Sequence, residues 1–308
     1  MSPPTVMNRL DALQMFVRVA ELGSFTQAAE QLGLPKARVS MAVRQLEGVL
    51  GTRLLHRTTR RVQATQDGQA FYERCKDVLA DIDEMQSMFQ QGVQSLRGRL
   101  RVDMPTLIAR DQVIPRLPEF LTAHPQLEIE LSSTDRRVDL VREGFDCVLR
   151  IGALAESGLV ARPLGQLRQI NCASPAYLER HGRPRTLADL AAHRLIHYVP
   201  TLGGRPAGWE YVDEGRTRSV AMAGTVTVNG TEAYRAACLA GLGLIQAPAA
   251  GLAPLLEQGL LVEVMRNFRP AALPVSLVYA NRRNLPQRVQ VFMAWVARTL
   301  APYLDPAT

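Results

Sequence analysis

The stretch from Ser24 to Glu47 constrains this chain most, because its spacing suits two short helices crossing closely through a tight turn. Ser24 is placed to cap a helix, and Gln27 stands three residues on, where a capping-box partner belongs. Small Ala28 and Ala29, on the inner face of a helix expected over Phe25–Leu32, let a second helix approach. Gly33 supplies a left-handed turn, Leu34 returns to the core, and Pro35 opens the second helix without losing a needed donor. Val39, Val43 and Leu46 recur at i, i+4, i+7 and predict one buried stripe. The other face carries Lys36, Arg38, Ser40, Met41 and Arg44, and Ser24 and Ala37 complete the outward set. A short basic helix projected in this way fits the major groove of DNA.

The residues that follow extend the motif. Between Arg53 and Thr65 two short alternating segments flank a polar tip with Arg57, Thr59, Arg60 and Arg61, the pattern of a β-hairpin wing. Beside a recognition helix, such a wing places arginine in the adjacent minor groove while its neighbours touch phosphate.

From Leu10 through Gly68 the chain resembles the winged helix-turn-helix of LysR-type transcriptional regulators. The residues that carry the likeness are Leu13, Phe16, Ala28, Ala29, Leu32, Ser40, Leu46, Glu47, Leu50, Gly51, Leu54, Arg57, Arg60, Thr65 and Gly68. The family's usual start corresponds to Met7, which makes residues 1–6 an N-terminal extension. One position departs from the pattern: Met41 stands where arginine is common, and the base contact expected there is in doubt.

Composition agrees with this reading. A length of 308 residues suits two or three domains, and 47% apolar residues suffice for conventional cores. Residues 1–66 carry nine Lys or Arg against four Asp or Glu, a net of +5, whereas residues 67–98 carry three against six. Basic density concentrated in the N-terminal unit is the electrostatic footprint of a DNA binder. Cys75, Cys147, Cys172 and Cys238 form no close pair, which argues against a disulfide framework and for a reducing, cytoplasmic compartment. Ala236–Leu256 is uncharged, but Gln246, Pro248 and Pro254 fit a helix end, a buried strand and a turn better than a membrane span.

After the wing, Phe71, Cys75, Val78, Ile82, Met85 and Phe89 repeat at steps of four and three, an a/d seam on an amphipathic helix. Spacing alone fits a helix packed on its own domain or on a second copy; the resemblance implies an antiparallel dimerisation helix. Gly92 to Gly98 reads as a hinge. Strands then alternate with helices: strands at Leu100–Met104, Leu127–Ser133 and Cys147–Ile151, and helices over Val113–His124 and Asp135–Glu143. Later come Thr225–Val228, Thr231–Ala240, Leu242–Gln246, Val275–Ala280 and a terminal helix over Gln287–Leu300. This rhythm predicts a mostly parallel, doubly wound α/β architecture. The domains expected are a winged helix-turn-helix over 7–66, a linker helix and hinge over 67–95, and an effector-binding domain over 96–308. By resemblance the last is two-lobed, of periplasmic-binding-protein type, with lobe I at 96–163 and 266–308 and lobe II at 164–265.

A cleft between such lobes faces strand ends and helix starts. Pro105 and Thr106, Arg150 and Gly152, and Asn229 and Thr231 fall at such places, and Thr201 and Trp209 sit in a nearby Gly/Pro-rich loop. A carboxylate or quinone carbonyl is expected to bind between Thr106 and Asn229, with Arg150 adding charge. No G-x-S-x-G elbow, P-loop or H-E-x-x-H motif is present, and Gly241-Leu242-Gly243 lacks the third glycine of a dinucleotide fingerprint. His193 and His197 have metal-ligand spacing but no third ligand nearby, so no metal or cofactor is expected.

The resemblance implies a dimer, within a tetramer, on an interrupted palindromic operator, modulated by a small-molecule effector and touching RNA polymerase if it activates. Two other readings stay open at this point: a ligand-independent DNA-binding repressor, and an enzyme on the same two-lobed fold.

Overall fold

The computed structural model describes residues 9–57, 62–87, 96–154, 158–280 and 285–306, without the side chains of Arg57, Ala80 and residues 83–87. The chain divides into two compact units, Met1–Arg99 with Gln126–Glu128, and Leu100–Pro125 with Ile129–Thr308.

The first unit opens with helices α1 (Arg9–Leu22), α2 (Phe25–Leu32) and α3 (Lys36–Leu50). Ser24 caps α2 by accepting the Gln27 N–H at 3.3 Å, and Gly33 ends it at φ 63°, donating to the Ala29 and Glu30 carbonyls. Pro35 is the N-cap of α3 rather than its first residue, one position earlier in the helix than expected. Phe16, Ala28, Ala29, Val39 and Val43 form the core with Met15 and Val19. Strands β1 (Leu55–Arg57) and β2 (Val62–Ala64) pair antiparallel, with Leu55 opposite Ala64.

Helix α4 (Gln66–Ser87) packs its first turns on this same core. The Phe71 ring lies 5.4 Å from that of Phe16, and Cys75 is buried at 2% exposure. The a/d seam therefore begins inside the subunit, because heptad spacing marks an apolar stripe without specifying what covers it. Val78 is 40% exposed and Ile82 half-buried. The Met85 side chain and all of Phe89 lie outside the described residues.

The second unit begins in β3 (Arg97–Met104), whose Leu100, Val102 and Met104 are buried as their alternation predicts. A wound segment follows, from α5 (Thr106–Ile108) through π and 3-10 turns to α6 (Leu117–Ala123), with Pro115 and Pro118 at the changes of pitch. Strands β4 (Gln126–Ser133), β5 (Cys147–Ile151) and β6 (Leu159–Leu167) come next. Asp135–Glu143, expected as a helix, is a turn-rich loop instead. Its polar side chains are taken by local bonds that compete with helix: Glu143 accepts the Asp139 N–H, Asp139 accepts the Arg142 N–H, and Arg136 pairs with Glu143.

The chain then builds β7 (Gln169–Ala173), α7 (Pro175–His181), β8 (His197–Tyr198), β9 (Trp209–Asp213) and β10 (Arg216–Val220). β11 (Thr227–Val228), α8 (Thr231–Leu239), β12 (Ile245–Pro248), α9 (Ala253–Glu257) and β13 (Val262–Val264) complete this lobe. β14 (Leu273–Ala280) and α10 (Gln287–Leu300) return to the first lobe.

The larger sheet has the order β4-β3-β5-β14-β6. β3 and β5 are parallel, but β14 runs antiparallel to both β5 and β6. In the other lobe β7 is antiparallel to β12 and β13, while β8 and β11 are parallel. The two-lobed α/β architecture holds, but the pairing is mixed rather than mostly parallel. The reason is the crossing of the chain: β6 leaves for the second lobe and β14 returns from it, so these neighbours meet head to tail. Gly243 packs closely, since a Cβ there would lie 2.6 Å from the Arg194 carbonyl oxygen.

Candidate functional site

Two surfaces hold the residues singled out from the sequence. On α3, burial of Val39, Ala42 and Val43 turns Lys36, Ala37, Arg38, Met41 and Arg44 outward, with Met41 60% exposed. Ser40 is half-buried and accepts from Arg44 Nη2 at 3.1 Å. Lys36 and Arg38 have no intramolecular partner among the described residues, so their charges face outward uncompensated. Ser24 is half-buried and occupied as the α2 cap.

The wing is fixed to this helix by a residue whose role spacing does not reveal. One oxygen of Glu47 accepts the backbone N–H groups of Leu54 at 3.0 Å and Leu55 at 3.2 Å. Thr65 Oγ1 donates to the Arg53 carbonyl at 2.7 Å and accepts the Gly68 N–H at 2.8 Å. A Cβ at Gly68 would lie 1.8 Å from the Leu54 carbonyl oxygen, so glycine is required for this approach. Arg53 is exposed at the base of the wing. Arg57 lies in β1, its side chain outside the described set, and Thr59, Arg60 and Arg61 at the tip lie outside the described residues.

The second surface is a cleft of about 690 Å³ between the lobes, its walls largely aliphatic, with Leu107, Leu149, Leu159, Ile196, Ile245 and Leu252 among them. Of the expected ligand contacts, Pro105, Arg150 and Thr231 line it. Thr106, Gly152, Thr201 and Asn229 do not, and Trp209 is fully buried in the core of its lobe. Thr201 and Asn229 are exposed.

The anion position expected between Thr106 and the start of α8 exists, but the chain fills it. Asp135 Oδ1 accepts the Thr106 N–H at 3.1 Å. Asp135 Oδ2 accepts the Thr231 N–H at 2.6 Å and the Thr231 hydroxyl at 2.8 Å. The free donors of two segment starts, which favour negative charge, are thus held by one carboxylate that ties the lobes together. Arg110 reaches Glu232 at 2.6 Å across the same junction, and Arg235 lies 3.9 Å from Asp111.

Arg150 is likewise engaged internally. It donates to the carbonyls of Arg136 at 3.3 Å and Val138 at 2.8 Å, and lies 3.8 Å from Asp103. Asp103 is fully buried; burial pushes its carboxyl above the usual range, opposed by bonds from Ser132 and Thr134 and the Arg150 charge.

Other polar groups on the cleft wall include Tyr198, Gln246 and His197. Burial, and then the Asp135 charge, pushes the Tyr198 phenol up to about 12. Gln246 is consumed by Asn171 and by the Glu210 backbone. His197 lines the cleft with a buried Nδ1 that has no hydrogen-bond partner, whereas His193 packs behind it against the Tyr177 hydroxyl at 3.2 Å. The four cysteines are buried, and burial pushes the Cys75 and Cys172 thiols up to about 12, far from reactive thiolate. Among the described residues no His, Cys, Asp or Glu group could hold a metal ion. Nor, among them, is any helix long and apolar enough to cross a membrane.

An outward basic helix with a wing, joined to a two-lobed domain around an apolar cleft, defines a DNA-binding regulator with a ligand-binding type of domain. Residues 10–69 match the bacterial regulatory helix-turn-helix protein, lysR family, and residues 94–301 match the LysR substrate binding domain. The chain belongs to the LysR family of transcriptional regulators. It is 48% identical to the uncharacterized regulator YhjC of Escherichia coli K12, over 97% of this chain and all of that protein. It is 38% identical to a transcriptional repressor of Pseudomonas aeruginosa, over 96% of this chain and 93% of that one. Among solved structures it resembles CrgA, a LysR-type regulator from Neisseria meningitidis, with TM-score 0.60 and 29% identity over 94% of this chain and 98% of CrgA. The full-length Vibrio cholerae virulence activator AphB gives 0.57 and 28%, over 93% and 98%. These relatives are regulators, not enzymes.

Proposed function

We propose that the protein is a cytoplasmic, effector-responsive regulator that binds an interrupted palindrome as a dimer of winged units within a tetramer. The observation that carries the DNA reading is the outward face of α3, where Lys36 and Arg38 stand exposed without intramolecular partners among the described residues. Arg38 reads a base edge in the major groove, Lys36, Arg44 and Arg53 neutralise phosphate, and Arg57, Thr59, Arg60 and Arg61 serve the wing in the minor groove. Ile82, Met85 and Phe89, beyond the turns of α4 that pack on their own subunit, supply the dimer contact. An effector in the interlobe cleft binds one lobe arrangement better than another and so shifts the spacing of the DNA-binding units. If the protein activates, RNA polymerase is a further partner.

Selection from random duplex DNA by the full-length protein tests this reading. Enrichment of a two-fold symmetric site with half-sites about one helical turn apart or more is expected; recovery of no common sequence would overturn it.

A further inference from the structure

We infer that Asp135 sets the charge specificity of the interlobe cleft, so that it takes a largely apolar ligand with a neutral hydrogen-bonding group and rejects carboxylates. This rests on the reading of the cleft as a ligand site.

The observations are independent of one another. Asp135 occupies the N–H donors of Thr106 and Thr231 and the Thr231 hydroxyl, the place a ligand carboxylate would use. A second anion beside it meets like-charge repulsion at a half-buried position, where charges interact more strongly than in bulk water. Two of the three arginines on the wall do not offset this freely. Arg150 is bonded to two carbonyls beside Asp103, and Arg235 faces Asp111. Arg137 is the remaining lining arginine, and the lining acids Asp111, Asp135 and Glu210 equal the three arginines in number. With the charges balanced in number, the wall as a whole does not select for an anion. Among the neutral lining side chains the Tyr198 phenol keeps its proton, since burial and then Asp135 raise it, and most of the remaining wall is aliphatic. A carboxamide, carbonyl or hydroxyl on an aromatic or aliphatic body matches that set.

The test uses two probes with the same ring system, 1-naphthamide (neutral) and 1-naphthoate (anionic), titrated into the full-length protein by calorimetry. Wild type is expected to bind the amide at least tenfold more tightly. Asp135→Ala, which frees the donors, should improve naphthoate at least tenfold while moving naphthamide less than threefold. Asp135→Asn keeps the shape and an acceptor oxygen, and should fall between them. Ala247→Phe, which fills the cleft from β12, locates the probe; binding that survives it counts as no cleft binding. Equal or tighter naphthoate binding by wild type, or a preference unmoved in both Asp135 variants, overturns the inference and leaves the cleft as a ligand site. Absence of cleft binding by either probe in all of these proteins overturns the ligand-site reading itself, and the inference with it.

Discussion

Replacement of Glu47 by alanine should loosen the wing without unfolding the helices beneath it. The Glu47 carboxylate takes two backbone donors, Leu54 N–H at 3.0 Å and Leu55 N–H at 3.2 Å, in a junction where both side chains are almost fully buried. A hydrogen bond to a charged group contributes about 1.5–3 kcal/mol net, and a buried donor left unpaired costs about 1–3 kcal/mol. The two bonds share one oxygen, so they do not add fully; about 2–4 kcal/mol of local stability is the expected loss. At about 1.4 kcal/mol per tenfold, local opening becomes roughly thirtyfold to a thousandfold more frequent. Hydrogen–deuterium exchange resolved at the Leu54 and Leu55 amides of the full-length protein measures this directly, since amide protection reports local opening. Glu47→Gln retains an acceptor oxygen without the charge and should lie between. If both amides exchange in Glu47→Ala within about threefold of wild type, Glu47 does not hold the wing and the reasoning fails.

Other expectations separate the two halves of α4 and the loop that carries Asp135. Ile82→Asp should leave the winged unit folded but dissociate the dimer, seen as a smaller particle by light scattering. Cys75→Asp buries a charge in the unit's own core and should unfold it, seen as lost helical signal by circular dichroism; a Cys75→Asp protein that is folded but monomeric would reverse the assignment. The Glu143 carboxyl is held down to about 2, chiefly by Arg136 and then by the Asp139 N–H. Because its folded pKa is depressed, its contribution to the loop is present above the usual glutamate range and is lost only as pH falls toward 2. Arg136→Gln should raise the Glu143 midpoint toward the ordinary value, read by carboxyl NMR titration; an unmoved midpoint would contradict the pairing.

Much of the N-terminal unit was legible because its determinants are local. Ser24, Gly33, and the Val39 and Val43 stripe act within a few residues of themselves, and they fall where their spacing puts them. The strand Cys147–Ile151 and the helix Gln287–Leu300 have the bounds that their own patterns indicate. The cleft was legible only in outline. Asp135 lies 29 residues from Thr106 and 96 from Thr231, and no periodicity reveals that its carboxylate caps both. Its segment has helical spacing, yet Asp139 and Glu143 spend their side chains on local backbone N–H groups. Arg150 likewise stands at a strand end facing the cleft, but carbonyls on a neighbouring loop claim it. The reversed direction of β14 follows from the chain's path between lobes, and a local pattern cannot encode that path.

The most direct measurement is the affinity of wild type and Arg38→Ala for the selected site and for random DNA of equal length, at one salt concentration. Loss of a bidentate base contact costs about 1–3 kcal/mol on the specific site. Arg38→Ala is therefore expected to bind that site roughly tenfold to a hundredfold more weakly, to bind random DNA within about threefold of wild type, and to lose preference at one base pair per half-site. An equal loss on both DNAs, or no loss on either, would contradict base reading by the exposed face of α3.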